Sequence, residues 1–499
     1  MAVIRLFPIL SYLLRLELLT VDDSVFATYP IFPIFPMMIH GFGFLSLSAS
    51  LVLPWALTGL AQGEKITEYL FKDVRQSSPV PETSLPSRKL ISAAPATTYY
   101  VSGTGNDKNS GLTTSSAFRT IQRAANLTDP GDTVLIMNGV YTNAGQAGSA
   151  LSIKRSGTAN AWITYKAYPG HFPKIQHNTW SGIGFSNGVS YIEIDGLEVV
   201  GNNANITLAY ALSQKTNTSN RLTNGTCISI EGRSSNVHHI NILNNKVHDC
   251  GGGGISVIAA DYVKVDGNTV YNNAWYGVYG GSGISFLKNR NTDNNQGYKM
   301  FVTNNKVYNN RMYVPWIEVG KITDGNGIIM DELKSGPNGS YKGRTLVANN
   351  ISYKNGGSGI HAHASEHVDI VNNTVYLNQQ SPELSKKGQL YAGYSSDVKI
   401  FNNIIYGVAG KNANSSYMNT NATYNYNLYT NGAVVGAMGP NDVIGDPQFV
   451  DASSGDFRLK ATSPAIDRGY YWNALKTDYA DKPRPAGDGY DIGAYEYQQ

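Results

Sequence analysis

The chain has 499 residues, a formal net charge of +3 and only 15% charged residues, too little basic character for a phosphate-tracking surface, so nucleic-acid binding is not expected. Glycine (52) and tyrosine (33) are abundant and asparagine recurs in pairs, whereas few stretches show the 3.6-residue apolar period of a helical core. A length that would hold two or three average domains also suits one solenoid, which grows by adding coils instead of separate cores.

In chain order, residues 1–61 read as a leader. The apolar run 38–61 ends in small residues, with Gly59 and Ala61 placed as in a signal-peptidase site, and a start at Met37 or Met38 would make the leader an ordinary one. The rival reading is a retained anchor, since the run is close to membrane-spanning length. The expectation is a secreted or cell-surface protein with no stable span in the mature chain. Residues 62–97, rich in Pro, Ser and Thr, read as a linker. Residues 116–127 place Phe118, Ile121 and Ala125 on one helical face, with Ser115 or Ser116 as N-cap, which predicts a helix plugging the first coil. Cys227 and Cys250 are the two cysteines; a disulfide and two buried thiols are both compatible with their positions.

From residue 240 onward one pattern repeats: INILNNKVHD, VKVDGNTVYN, MFVTNNKVYN, TLVANNISYK, VDIVNNTVYL and VKIFNNIIYG. The equivalent asparagines are Asn245, Asn268, Asn305, Asn350, Asn373 and Asn403, with two spacings of 23 residues and the others longer. Three short strands and their bends close one coil in about this length, and stacked coils place equivalent residues about 4.8 Å apart. A buried Asn can then hydrogen-bond to its copy in the next coil. Before each Asn motif stands a strand of similar shape: 227–231, 254–258, 283–287, 327–331 and 359–363. Alternation turns Ile228, Ile255, Ile284, Ile328 and Ile360 inward. The fold class is therefore all-β, a right-handed parallel β-helix (98–435) with an N-terminal capping helix. Residues 436–499, which lose the repeat, are expected as a C-terminal cap.

The opening YYVSGTGNDKNSGLTTSSAFRTIQRAANLTDPGDTVLIMNGVYTN resembles that of secreted pectate-lyase-like β-helix proteins, in particular family 9 polysaccharide lyases and, more loosely, family 6 alginate and chondroitin lyases. The tail DPQFVDASSGDFRLKATSPAIDRG is similar to the "choice-of-anchor Q" region that ends many exported β-helix proteins. What this implies is a polysaccharide lyase acting on an acidic polysaccharide, expected as a monomer, with calcium held by aspartates and a lysine as base. Thr323-Asp324-Gly325 resembles the family's upstream aspartate element. The strand expected to carry further aspartates instead reads SGIHAHAS, with His361 and His363 in their place.

The outward columns of the repeated strands make Asp331 and His363 neighbours across one coil step, an acid–imidazole pair suited to general acid/base work. The catalytic candidates are Asp331, His361, His363, Lys299 and Lys334. Asp324, Asp331 and Glu332 are candidates for a hard cation such as calcium. Arg290, Tyr313, Trp316, Lys321 and Arg344, on or near the longer insertions, are candidates for stacking on sugars or pairing with uronic carboxylates. A glycoside hydrolase or epimerase on the same fold, and a non-catalytic glycan-binding or anchored structural protein, are the alternatives.

Overall fold

The computed structural model describes residues 95–143, 148–430 and 432–498; the leader and nearly all of the linker lie outside them. Three all-parallel sheets run the length of the described chain, with 10 strands in sheet I and 11 each in sheets II and III. One coil visits them in turn, as in Thr226–Glu231 (sheet I), His238–Leu243 (sheet II) and Lys246–His248 (sheet III). Each strand pairs with its counterpart one coil on, the short-range stacking that a right-handed parallel β-helix requires.

The inward column is the expected one. Ile228, Ile255, Ile284, Ile328 and Ile360 are in register and fully buried, and Leu390 continues them. Each such side chain contributes roughly 1.5–3 kcal/mol by leaving water. The glycine preceding four of these isoleucines (Gly254, Gly283, Gly327, Gly359) is required sterically. A Cβ there would stand 2.5–2.9 Å from the amide nitrogen of Asn273, Asn310, Asn355 or Asn378.

Those four asparagines form a second ladder parallel to the predicted one. In the first ladder, each side-chain oxygen accepts from both the backbone N–H and the amide of its predecessor, as Asn350 does from Asn305 at 3.0 and 3.0 Å. That ladder continues past Asn403 to Asn427. The asparagine pairs have a conformational cause. Asn244, Asn304, Asn349, Asn372 and Asn402 all have φ near +55°, a left-handed conformation that Asn tolerates better than most residues, and the next residue makes the ladder.

Cys227 and Cys250 are bridged, with Cα atoms 5.6 Å apart and both residues fully buried. Cys250 takes the place of an asparagine at the start of the second ladder, its N–H donating to Asn273.

The N-terminal cap differs from the expected single helix. A 3-10 turn, Thr114–Ser116, is capped by Thr113, the chain then extends, and the α-helix is only Ile121–Ala125, capped by Thr120. The reason is local. Phe118 bridges Val101 as an extended residue, and the Asp107 carboxylate takes the N–H groups of Arg119 and Thr120 at 2.8 and 2.9 Å. Phe118, Ile121 and Ala125 are nevertheless buried in the main core.

The C-terminal segment packs along the outside of the solenoid. Phe449, Phe457, Leu459 and Ile492 pack on Ile351, Ile404 and Leu428 outside sheet III, and Leu475 with Trp472 packs on Leu346 and Val371 outside sheet II. The left-handed asparagines are its anchors: Asn349, Asn372 and Asn402 donate to the carbonyls of Thr477, Asp491 and Tyr470 at 2.7–2.9 Å. No helix among the described residues is long and apolar enough to cross a membrane.

Replacing Asn350 by Ala leaves the buried N–H and amide of Asn305 without their acceptor. The expected cost is about 2–4 kcal/mol, read as a lowered denaturation midpoint.

Candidate active site

The outer face of sheet I carries the cluster. Strands Ile284–Leu287, Ile328–Asp331, Ile360–His363, Leu390–Gly393 and Asn412–Tyr417 are consecutive there. Their registers align Leu287, Asp331, His363, Gly393 and Tyr417 in one column and Ser285, Ile329, His361, Tyr391 and Ser415 in the next. Asp331 and His363 are thus direct partners on adjacent coils, as the alternation predicts.

Two corners border this face. The corner ahead of the strands supplies Asp324 and Lys387. Lys387 crosses the intervening coil, its Nζ donating to the Thr323 carbonyl at 3.0 Å two coil steps back, and its charge is felt by Asp324, Asp331, His361 and His363. Asp324 is held by the buried Asn326, whose amide donates to it at 3.1 Å while its oxygen accepts from Ser358 N–H at 2.9 Å. The corner after the strands carries residues of left-handed φ: Lys288, Glu332, Ala364, Tyr394 and Met418. That conformation swings Glu332 off the strand face to pair with Lys288 at 2.9 Å.

Electrostatics follow from burial. Burial, reinforced by Asp324 and Glu332, pushes the Asp331 carboxyl up to about 7, and one of its oxygens is buried without a hydrogen-bond partner. Asp324 is also raised by burial, against the opposing pull of Lys387 and His363. Burial lowers His363, and the charge of Lys387 adds to it. His361, 4% exposed, is held well below the ordinary histidine range by burial and by Lys387. Neither of its ring nitrogens has a hydrogen-bond partner, and its ring stacks on Tyr391 at 4.6 Å. At neutral pH the site therefore offers two neutral imidazoles, a carboxyl poised between its two forms, and one ammonium.

The remaining candidates divide. Lys334 stands at the edge, its Nζ donating to the Tyr394 carbonyl at 2.8 Å. Trp316 shares the margin of Gly280 with Asp324, and Lys321 is exposed on the turn closed by the Trp316 N–H. Tyr313 packs within the adjoining loop lobe, edge-on to Trp275 at 5.6 Å and under Arg311.

Three candidates lie elsewhere. Lys299 is fully buried beside sheet II, bonded to Asp261 at 2.6 Å and Asp293 at 2.9 Å, because a break in strand register turns its side chain into the corner. Arg290 is spent on the carbonyls of Gly232 and Arg233. Arg344 faces outward from sheet II, forked onto Asp397 at 2.8 and 3.0 Å.

The calcium expectation also changes. Among the described residues, the group whose donor atoms converge within 4.8 Å is His177, Cys227 and Cys250, whose sulfurs are bonded to each other. Asp324, Asp331 and Glu332 do not converge in this way, and Lys288 occupies Glu332. This set does not fit an ion that takes six to eight oxygens.

Sequence reasoning missed Lys387, Asn326 and Tyr391. The strand Leu390–Gly393 is entered by Gln-Leu where the four strands before it are entered by Gly-Ile, so the outward columns were legible only as far as residue 363.

Three parallel sheets visited once per coil, with an Asn ladder at the corners, define a right-handed parallel β-helix. The model of the Pel9A-like right-handed beta helix region matches residues 99–389, and the chain belongs to that family. No curated protein matches. Among solved structures the chain is similar to pectate lyase Pel9A (16% identity, 80% of this chain and 96% of that one, TM-score 0.49). It is also similar to XylC in complex with xylose (12%, 80% and 99%, 0.44) and to the GH136 lacto-N-biosidase from Eubacterium ramulus (14%, 70% and 68%, 0.40).

Two substitutions test these assignments by stability. The Asp331 carboxyl has a folded value near 7 against about 3.9 unfolded, so the folded state binds more protons between them and loses stability as pH rises through that window. Asp331→Asn should therefore stabilise the protein at pH 8 by about 1–2 kcal/mol, after discounting for partial solvation, and much less at pH 4. Lys299→Met should destabilise by about 3–5 kcal/mol, since it strands the buried Asp261 charge. Thermal denaturation at the two pH values reads both.

Proposed function

We propose that the protein is an exported lyase that cleaves a uronic-acid-containing polysaccharide by β-elimination on the outer face of sheet I. The observation that carries this reading is the Asp331–His363 pair on adjacent coils, within electrostatic reach of Lys387. A uronate needs its carboxylate charge offset before the neighbouring proton becomes acidic, and Lys387 is placed for that pairing. The neutral His363 imidazole takes the proton on C5, the C4–O bond breaks as the C4–C5 double bond forms, and protonated Asp331 gives its proton to the departing oxygen. The Thr323 carbonyl holds the Lys387 ammonium beside the site, and Asn326 holds Asp324 next to it. Membership of a carbohydrate-active β-helix family supports the substrate class, while the fold alone supports no particular reaction. Calcium has no step in this scheme, because the acids do not converge on an ion.

The hydrolase alternative rests on the second raised carboxyl, Asp324, which with Asp331 would form an acid/base pair. Pectate, alginate and glycosaminoglycan panels separate the readings. A lyase makes unsaturated ends that absorb in the ultraviolet, a hydrolase makes reducing ends without that absorbance, and a binding module makes neither. Asp331→Ala, His363→Ala and Lys387→Met should each lower kcat by at least about 100-fold with the fold intact. Full activity in the first two would remove this site from consideration. Exhaustive chelation should leave turnover unchanged; loss restored by calcium would contradict the role given to Lys387.

The pH profile follows from the two shifts. Turnover rises as His363 loses its proton, below the ordinary histidine value, and falls as Asp331 ionises near 7. The expected kcat/KM profile is a narrow bell on the acid side of neutrality, and a plateau extending above pH 8 would contradict Asp331 as the acid.

A further inference from the structure

Beyond His363, the same outer column continues through Gly393 to Tyr417. Gly393 leaves a notch. A Cβ there would lie 2.4 Å from the Tyr391 hydroxyl, so the Tyr391 ring, already stacked on His361, leans across the place a side chain would fill. On the far side of the notch stand Tyr394 and Tyr417, 46% and 52% exposed, with ring centres 5.3 Å apart at 79°. Tyr394 also meets the His363 ring edge-to-face at 5.7 Å.

This platform is held in place. The Tyr394 N–H donates to the Tyr417 carbonyl at 2.9 Å, its own carbonyl accepts from Lys334, and Asn419 accepts from the next residue, Ser395, at 2.9 Å. Aromatic rings left half in water on an anchored backbone beside a polar cluster offer a face on which sugar rings can stack. These rings adjoin the candidate site, Tyr417 in its column and Tyr394 against His363, so the occupant that fits them is more of the same polymer.

We propose that Tyr394 and Tyr417 form a sugar-stacking subsite, on which the pyranose rings one and two residues beyond the cleaved bond rest. The spacing supports this assignment. A coil step of about 4.8 Å is close to the rise of one sugar in an extended chain. A polymer lying along the solenoid axis then brings one residue over the Gly393 notch and the next over Tyr417 while a third sits between Asp331 and His363. The subsite rests on the lyase reading for its orientation, though not for its existence.

The test uses the full chain and four variants: Tyr417→Ala, Tyr417→Phe, the double variant Tyr394→Ala/Tyr417→Ala, and Phe172→Ala. Phe172 is an 81% exposed ring outside the cluster and serves as control. Retention in gels cast with each polymer, KM and kcat, and product chain length are measured together. The double variant should raise KM about tenfold with little change in kcat, lose retention and shift the product lengths, while Tyr417→Phe and Phe172→Ala behave as the parent. Unchanged KM, retention and products in the double variant overturn the subsite, as does Tyr417→Phe being as damaging as Tyr417→Ala, which would assign the effect to the hydroxyl. Retention that depends on the rings without ultraviolet-absorbing products supports the subsite and removes the lyase reading. Absorbing products with ring variants unchanged remove the subsite alone, and a parent protein neither retained nor active on any polymer removes both.

Discussion

Everything in this molecule depends on stacking coils at the strand-to-strand spacing without leaving amides unpaired at the corners. Three bends per coil must be made with backbone groups that are largely buried, and an unpaired buried N–H costs about 1–3 kcal/mol. The chain solves this with asparagine twice over. One Asn takes the left-handed conformation that turns the corner; the next inserts its amide between coils and accepts two hydrogen bonds from the one before. The left-handed asparagines then serve again outside the barrel, where Asn349, Asn372 and Asn402 tie the C-terminal segment to sheets II and III.

The same stacking creates the site. With strands in register, outward side chains separated by a whole coil in sequence become neighbours, so an acid, two imidazoles and two tyrosines can share one face. Burying charge there is unfavourable, and the consequence is chemical. Asp331 holds its proton to about pH 7, while burial and the charge of Lys387 keep His361 and His363 neutral. The C-terminal segment packs its hydrophobic residues on sheets II and III, and the loop lobe around Tyr276, Val278 and Val314 stands beside the corner that carries Asp324.

Legibility differed between the two levels. Ladder asparagines, inward isoleucines and the Asp331–His363 juxtaposition were all readable, because a strict period of two along strands and a repeated Gly-Ile start fix which residues face which way. The lysines were not readable. Lys299 and Lys387 are both unremarkable in sequence, yet a break in register turns the first into a buried pairing with Asp261 and Asp293, while the second spans two coil steps to reach the site. Neither the length of that reach nor the local break has a sequence period.

The sequence by itself therefore determined the architecture, since each coil repeats the same local problem and the same residues solve it. Only the tertiary structure decided which charges meet. Long side chains and corner loops are placed by contacts between coils, and the left-handed turn at Glu332 directs its carboxylate to Lys288. It likewise decided that the two cysteines bridge, because closing one coil brings Cys250 back to the start of the strand that carries Cys227.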